Sequence, residues 1–333
     1  MVNVTISAQF EHYTSVHAQA AVSLWNAAMG ADFPMDLRLW RQNVDDCERT
    51  FAPGCWVALE GQSVVGLVIV KSPNHLSAIA VHPDYRRRGI GKSLLMLATD
   101  ALVSDAGRQC AIQLSTPNDP PSKLITGQDY SHFFPGVPDS HDDAMAFFDA
   151  CGWKKTEGWC VDLWRDLSDF AIDPHVAAKI EELAGQGIVL RACTSADVPS
   201  LFSHVEENFS ARWLAETRRR VQMEPDPSEI KIAVRGGGVV GFAHTFTNRS
   251  AKLGPSVYWR GLLGGEYGGL GPIGVGKDVR KIGLGLALLS YCVNEVSNAG
   301  MTRMAIDWTV IIDFYNRAGF DVWKRYVPYI RPL

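Results

Sequence analysis

Two segments of this 333-residue sequence share a spacing suited to holding phosphate. The first is Arg86-Arg87-Arg88-Gly89-Ile90-Gly91-Lys92 and the second is Arg280-Lys281-Ile282-Gly283-Leu284-Gly285. Glycines let the backbone turn tightly, so that successive N–H groups face one concavity. Each loop opens a stretch of helical apolar spacing, and the positive end of such a helix adds to the field, so a pyrophosphate fits there. Arg86 and Arg88 add charge. Two other phosphate loops fail on single residues. In G-x-x-x-x-G-K-[ST], Gly91-Lys92-Ser93 supplies the end, but the first glycine would fall on Arg86. A dinucleotide G-x-G-x-x-G needs glycine where Leu94 and Leu288 stand.

The elements that position these loops are themselves duplicated. Val81, Arg86, Gly89 and Gly91 recur as Val275, Arg280, Gly283 and Gly285, all offset by 194 positions. Upstream, Gly61 and Val64-Val65-Gly66 recur as Gly236 and Val239-Val240-Gly241 at an offset of 175. Downstream, Phe147-Phe148 and Cys151-Gly152-Trp153 match Phe314-Tyr315 and Ala318-Gly319-Phe320 at an offset of 167. The order is the same and only the connections change length, which marks one fold used twice. The first copy carries 27 extra residues, placed in 116–143, and the second carries 19 extra between Gly241 and Gly283.

Alternation and turn signals predict hairpins at Trp56–Leu59 with Val64–Val70 and at Ile232–Val234 with Val239–Phe246. Strands ending at Val81 and Val275 precede the helices Gly91–Leu102 and Gly285–Val296. Another strand spans Arg303–Trp308. A helix around Val176–Ala184 closes the first half, a strand starts at Ile188, and a helix begins near Ser195-Ala196-Asp197. The class is α/β in its α+β form. Two tandem domains are expected, at 1–170 and 186–333, each a mixed, mostly antiparallel sheet flanked by helices.

Composition sets the outer bounds. Hydrophobic residues make up 47% and charged residues 20%, ordinary for a globular protein, and the length suits two domains. A net charge of −4 argues against nucleic acid as a partner. The seven cysteines include no C-x-x-C pair, so free thiols in a cytoplasmic protein are expected. The nine histidines show no H-E-x-x-H, and no metal is expected. No signal peptide and no membrane-spanning run are evident, so no membrane partner is expected. The tandem repeat can act as its own pseudo-dimer, which is consistent with a monomer.

The pattern [R/Q]-x-x-G-x-[G/A] after a strand ending in valine resembles the acetyl-CoA loop of the GNAT superfamily, here twice. The whole chain is similar to tandem GNAT proteins such as mycothiol synthase and the GNAT region fused to some N-acetylglucosaminidases. The resemblance implies acetyl-CoA as cofactor, with its pyrophosphate held by Arg86, Arg87, Arg88, Gly89, Ile90, Gly91 and Lys92, or by Arg280, Lys281, Ile282, Gly283, Leu284 and Gly285. It also implies that the pantetheine arm lies along Ile79, Ala80 and Val81, or Ile273, Gly274 and Val275. A preorganised backbone N–H there would polarise the thioester carbonyl. Tyr315 stands in the family's F-Y-x-x-x-G-F element, whose hydroxyl protonates the departing thiolate, whereas Phe148 stands in the first copy. The C-terminal half is therefore expected to be catalytic.

Only the neutral amine is nucleophilic, so a group must take the proton of the incoming ammonium. Glu266 and Asp307 are the candidates, each equally readable as a solvated or structural carboxylate. Aromatics suit sugar faces and a carboxylate suits an ammonium, so Trp308 and the insertion residues Asp129, His132 and Phe134 are expected to bind acceptor. The resemblance points to a small-molecule primary amine, first an amino sugar such as glucosamine. Peptide N-acetylation and a non-catalytic acyl-CoA-binding regulator are the competing readings.

Overall fold

The structure is a computed structural model describing residues 8–71, 74–104, 123–129 and 131–332. Cys110, Tyr130 and residues 116–122 of the expected insertion lie outside them. The first repeat runs β1 (Gln9–His12), α1 (Ala18–Met29), α2 (Leu37–Trp40), β2 (Trp56–Glu60), β3 (Ser63–Lys71), β4 (His75–Val81), α3 (Ile90–Val103), β5 (Lys123–Thr126), β6 (Val137–Pro138), α4 (Asp142–Ala150) and β7 (Lys154–Lys155). Then follow β8 (Cys160–Asp166), α5 (Pro174–Gly185), β9 (Ile188–Ala192), α6 (Val198–Asn208), α7 (Ala211–Met223), β10 (Ile230–Arg235), β11 (Gly238–Thr247), β12 (Tyr267–Val275), α8 (Leu284–Asn298), β13 (Arg303–Thr309), α9 (Ile312–Asn316), β14 (Asp321–Val327) and β15 (Tyr329–Pro332). Both expected hairpins form, β2 with β3 and β10 with β11. The strand expected to end at Val275 is β12, and it begins at Tyr267.

The chain forms two compact units, Met1–Cys160 with Lys324–Leu333, and Val161–Trp323. A linear division at 170–186 does not describe them, because the closing strand of each sheet comes from beyond that boundary or before it. In the first unit the order is β1-β2-β3-β4-β5-β15-β7, so the C-terminal strand sits between β5 and β7. In the second, β8 pairs antiparallel with β13, within the order β8-β13-β12-β11-β10-β9. Among the described pairings each sheet is mostly antiparallel with one parallel pair, β4 with β5 and β12 with β13.

Each helix after a glycine loop seats its apolar face on its own sheet. In α3, Ile90, Leu94, Ala98 and Leu102 recur every fourth position and are buried. In α8, Leu286, Leu289, Val293 and Val296 join Leu270 and Ile306 of the strands in one core with Tyr315 and Phe320. Helix α5 starts as its sequence dictates: Pro174 takes the first position and Asp173 accepts a hydrogen bond from the His175 N–H at 2.8 Å. No helix among the described residues is long and apolar enough to cross a membrane.

Candidate active site

The two glycine loops are one backbone path built twice. Arg87 and Lys281 have φ of 63° and 68°, and Gly89 and Gly283, which cap α3 and α8, have φ of 86° and 91°. Glycine takes that left-handed conformation at no steric cost, and it turns the chain from strand to helix within a few residues. The first N–H groups of α3 and α8 have no acceptor inside their helices and point where a phosphate would sit. The leading arginines brace the turn. Arg86 Nε donates to the Val81 carbonyl at 3.2 Å and Nη2 to that of Ala28 at 3.0 Å, and Arg280 Nε reaches the Val275 carbonyl at 3.5 Å. Part of the expected phosphate-binding charge is thus used to hold the strand end. Arg88 stacks on Tyr85, 5.0 Å from its ring centre, and the second copy has the exposed Ile282 at that position.

Both parallel strand pairs splay beyond the same point. β4 pairs with β5 at His75↔Ile125 and Leu76↔Thr126, and β12 pairs with β13 from Tyr267↔Arg303 to Leu270↔Ile306. Past these pairs, Ala78–Val81 and Ile273–Val275 keep only their antiparallel neighbours, β3 and β11. The backbone groups on the opened side are available to a ligand lying along the strand. A bulge marks each opening, at Ser77 in β4 and at Gly271-Pro272 in β12. In the first unit this opening is continuous with a cavity of 920 Å³ that runs from the Arg86–Lys92 loop along Ile79, Ala80 and Val81 to Trp25 and Phe134.

Because Leu76↔Thr126 matches Leu270↔Ile306, the register equates Gly127 with Asp307 and Gln128 with Trp308. Both second residues are left-handed, Gln128 at φ 61° and Trp308 at φ 39°. The first residues differ in kind. Asp307 Oδ1 lies 3.0 Å from the place a Cβ on Gly271 would occupy, so this carboxylate stands beside the opening. At Gly127 a side chain would collide with the carbonyl oxygen of Phe134. No carboxylate can stand there in the first unit.

Tyr315, on α9, is buried. Burial, and then the charge of Asp307, push its hydroxyl well above the ordinary tyrosine range, while a hydrogen bond with Thr309 opposes them. Asp307, Trp308 and Tyr315 are therefore gathered in the second unit, next to the strand expected to carry the pantetheine arm. Glu266 is not with them. It is exposed before the first residue of β12, at the opposite end of the parallel pair, where its carboxylate accepts from Asn248 Nδ2 at 2.9 Å. The parallel pairing continues to Leu270 before the strands part, which puts about four residues at ~3.3 Å each between Glu266 and the splay.

Asp129, His132 and Phe134 belong to the first unit, and all three are buried. Phe134 stacks on Trp25 with ring centres 5.4 Å apart and lines the cavity. Asp129 is not an open partner for a substrate ammonium. It pairs with Lys71 Nζ at 3.0 Å, both side chains are wholly buried, and the same ammonium donates to the Ser131 carbonyl at 2.7 Å. Asp129→Asn is expected to destabilise the first unit by about 3–5 kcal/mol, since it leaves the ammonium without its counter-charge. Lys71→Met with Asp129→Leu should recover most of that loss in urea unfolding. A single variant as stable as wild type would refute the pairing.

Other groups at the second opening carried no signal in the sequence. Phe209 and Trp213, from the end of α6 and the start of α7, lie over Gly274, where a Cβ would meet their rings at 2.5 and 3.2 Å. Arg212 stacks on Trp308 at 4.4 Å and pairs with Glu216 at 3.1 Å. An amphipathic helix marks α7 as packed against something, without telling which strand it covers.

The Acetyltransferase (GNAT) family matches residues 21–122 and 198–320, the two stretches that hold these loops. The chain belongs to the GNAT acetyltransferase family. A mycothiol acetyltransferase of Cellulomonas flavigena is 25% identical over 284 residues, 80% of this chain and 71% of that protein. Among solved structures, a GCN5-related glucosamine N-acetyltransferase region of a fungal multi-domain GH3 β-N-acetylglucosaminidase superposes with a TM-score of 0.83 at 22% identity. It covers 98% of this chain, which spans 38% of that larger protein. A tandem GNAT protein from the clavulanic acid biosynthesis pathway gives a TM-score of 0.62 at 18% identity over 98% of both chains.

GNAT acetyltransferases use acetyl-CoA, and both units of this one fit it: a left-handed glycine loop capping a helix for the pyrophosphate, and an opened strand edge for the arm. Among the described residues no group of three or more His, Cys, Asp or Glu is placed to hold a metal ion.

Proposed function

We propose that the second unit transfers acetyl from acetyl-CoA to the primary amine of a small molecule, an amino sugar first, and that the first unit binds acetyl-CoA without completing transfer. One observation carries the reading. Asp307 stands beside the second opening, close enough for its charge to raise the Tyr315 hydroxyl, while the first has Gly127 and Phe148 at the matching places, with the Phe134 carbonyl barring any side chain at 127. The relatives named for mycothiol and glucosamine acetylation support an amine on a sugar-like acceptor.

Acetyl-CoA supplies an activated acyl group and a sulfur leaving group. Ile273–Val275 and Arg280–Gly285 would hold it, and a main-chain N–H on the opened strand edge would stabilise the negative charge that grows on the thioester oxygen. Asp307 Oδ1 takes the proton that the acceptor's ammonium must lose, directly or through one water. Tyr315 Oη, kept protonated by its burial, is the proton donor for the departing sulfur. Trp308, half-buried beside Asp307, offers a ring face to the acceptor.

The test is a CoA-release screen of glucosamine and other amino sugars, aminoglycosides, polyamines and peptides. Turnover is expected on small amines, with amino sugars foremost. Turnover on peptides alone would overturn the small-molecule reading.

A further inference from the structure

We propose that Asp162 is a positioning residue for acetyl transfer, its carboxylate holding the Asp307–Trp308 bulge in the shape that turns Asp307 toward the opening between β12 and β13. The proposal rests on the reading of the second unit as catalytic.

Strand β13 pairs with β8 at Ile306↔Leu163 and again at Thr309↔Val161. Two residues, Asp307 and Trp308, therefore stand opposite one, Asp162, and β13 bulges there. Trp308 adopts φ 39°, a conformation that bulky side chains rarely take and that its surroundings must impose. The buried Asp162 supplies such a constraint: its Oδ1 accepts the Trp308 N–H at 3.0 Å.

That N–H belongs to the peptide joining Asp307 to Trp308. Holding it sets the plane of the peptide after Asp307, and so the direction in which the Asp307 side chain leaves the strand. The result is Oδ1 of Asp307 at 3.0 Å from the Cβ position of Gly271, and the Trp308 ring 4.4 Å from the Arg212 guanidinium. The first unit provides an internal comparison. Its equivalent residue, Gln128 at φ 61°, gives its N–H to the main-chain carbonyl of Phe134 at 3.3 Å, just past the end of β5, where Gly127 stands instead of a carboxylate. The side-chain holder occurs where there is a carboxylate to aim.

Asp162→Leu removes the acceptor at similar size, and Asp162→Asn keeps an oxygen that can take the same N–H. With glucosamine as the probe amine and rates normalised to folded protein, Asp162→Leu should lower kcat/KM for the amine ~100-fold, the cost of an ångström-scale misplacement, with KM for acetyl-CoA within ~3-fold of wild type. Asp162→Asn should return to within ~5-fold of wild type. If the leucine variant does not fold, Asp162→Ser, whose hydroxyl falls short of the N–H, carries the same expectation. A crystal structure of the variant gives an answer independent of substrate: Trp308 should leave the left-handed region and Asp307 should turn from Gly271. A purely structural role would lower the melting temperature while leaving both KM values and kcat per folded molecule unchanged, and that result, or an unaltered bulge, overturns the proposal. Asp307→Asn, measured alongside, separates the two failures. If it keeps wild-type turnover, the catalytic reading of Asp307 falls; if it is impaired and Asp162→Leu is not, only the role of Asp162 falls.

Discussion

Gly283→Asp abolishes acetyl transfer, or raises KM for acetyl-CoA about a thousand-fold, in a protein that still folds. Gly283 caps α8 at φ 91°, a conformation that aspartate tolerates better than most side chains. Its new Cβ would meet the stem of Lys179, 3.1 Å from Cγ, and that flexible side chain can yield. The strained backbone at this φ costs on the order of 1–3 kcal/mol, less than the stability of an ordinary domain, so the fold survives and the decisive damage is electrostatic. Two like unit charges ~4 Å apart at an effective dielectric of ~20 repel by about 4 kcal/mol, close to three factors of ten in affinity. Steady-state kinetics against acetyl-CoA concentration, with circular dichroism to establish folding, measures it. Gly89→Asp is the matching change in the first loop, where a Cβ meets nothing within 4 Å. Full activity in Gly283→Asp together with an inactive Gly89→Asp would move the chemistry to the first unit.

Tyr315→Phe keeps the ring in its core and removes only the hydroxyl, reproducing what Phe148 supplies in the first unit. A general acid typically contributes ~100- to 10,000-fold, and kcat should fall within that range or slightly below it, with acetyl-CoA affinity little changed. The lower edge reflects a thiol leaving group whose pKa of about 8.5 makes it a fair one unaided. Because burial and Asp307 push the hydroxyl upward, Tyr315 stays protonated across neutral pH and contributes no descending limb to the pH–rate profile below about pH 10. The same shift has a stability consequence. The folded state keeps this proton more tightly than the unfolded chain, so its contribution is complete below the unfolded value of about 10 and is lost as pH rises beyond it. Alkaline unfolding should be steeper in wild type than in Tyr315→Phe. A variant that turns over at the wild-type rate, with chemistry shown to limit it, would make Tyr315 a packing residue.

The loops, hairpins and helices that carry the site were legible because their signals are local. A left-handed glycine, an alternating strand and a four-residue apolar repeat each act within a few residues, and duplication presented every signal twice. What escaped depends on pairing between distant segments. That Asp307 corresponds to Gly127 follows from the register of β13 on β12, which no spacing along the chain reveals. Lys71 and Asp129 are brought together by the sheet and the insertion, so Asp129 looked free to bind substrate when its charge was already matched. Glu266 precedes the strand, as its place in the sequence implies, but the parallel pairing runs to Leu270 before the strands part, which no spacing reveals and which leaves Glu266 far from the opening. The exchange of closing strands left no mark at all, since β8 and β15 are apolar-rich strands that would suit either sheet.

That exchange sets an order of events during synthesis. The segment Val161–Trp323 contains the whole of the second unit, whereas the first, although its residues leave the ribosome earlier, lacks the strand that lies between β5 and β7 until Tyr329–Pro332 has emerged. Pairing Ile330 with Ile125 closes a loop of some two hundred residues, and such distant contacts form slowly. The half made first is thus the half finished last. Until then it carries an open strand edge at β5, the kind of surface that recruits other chains.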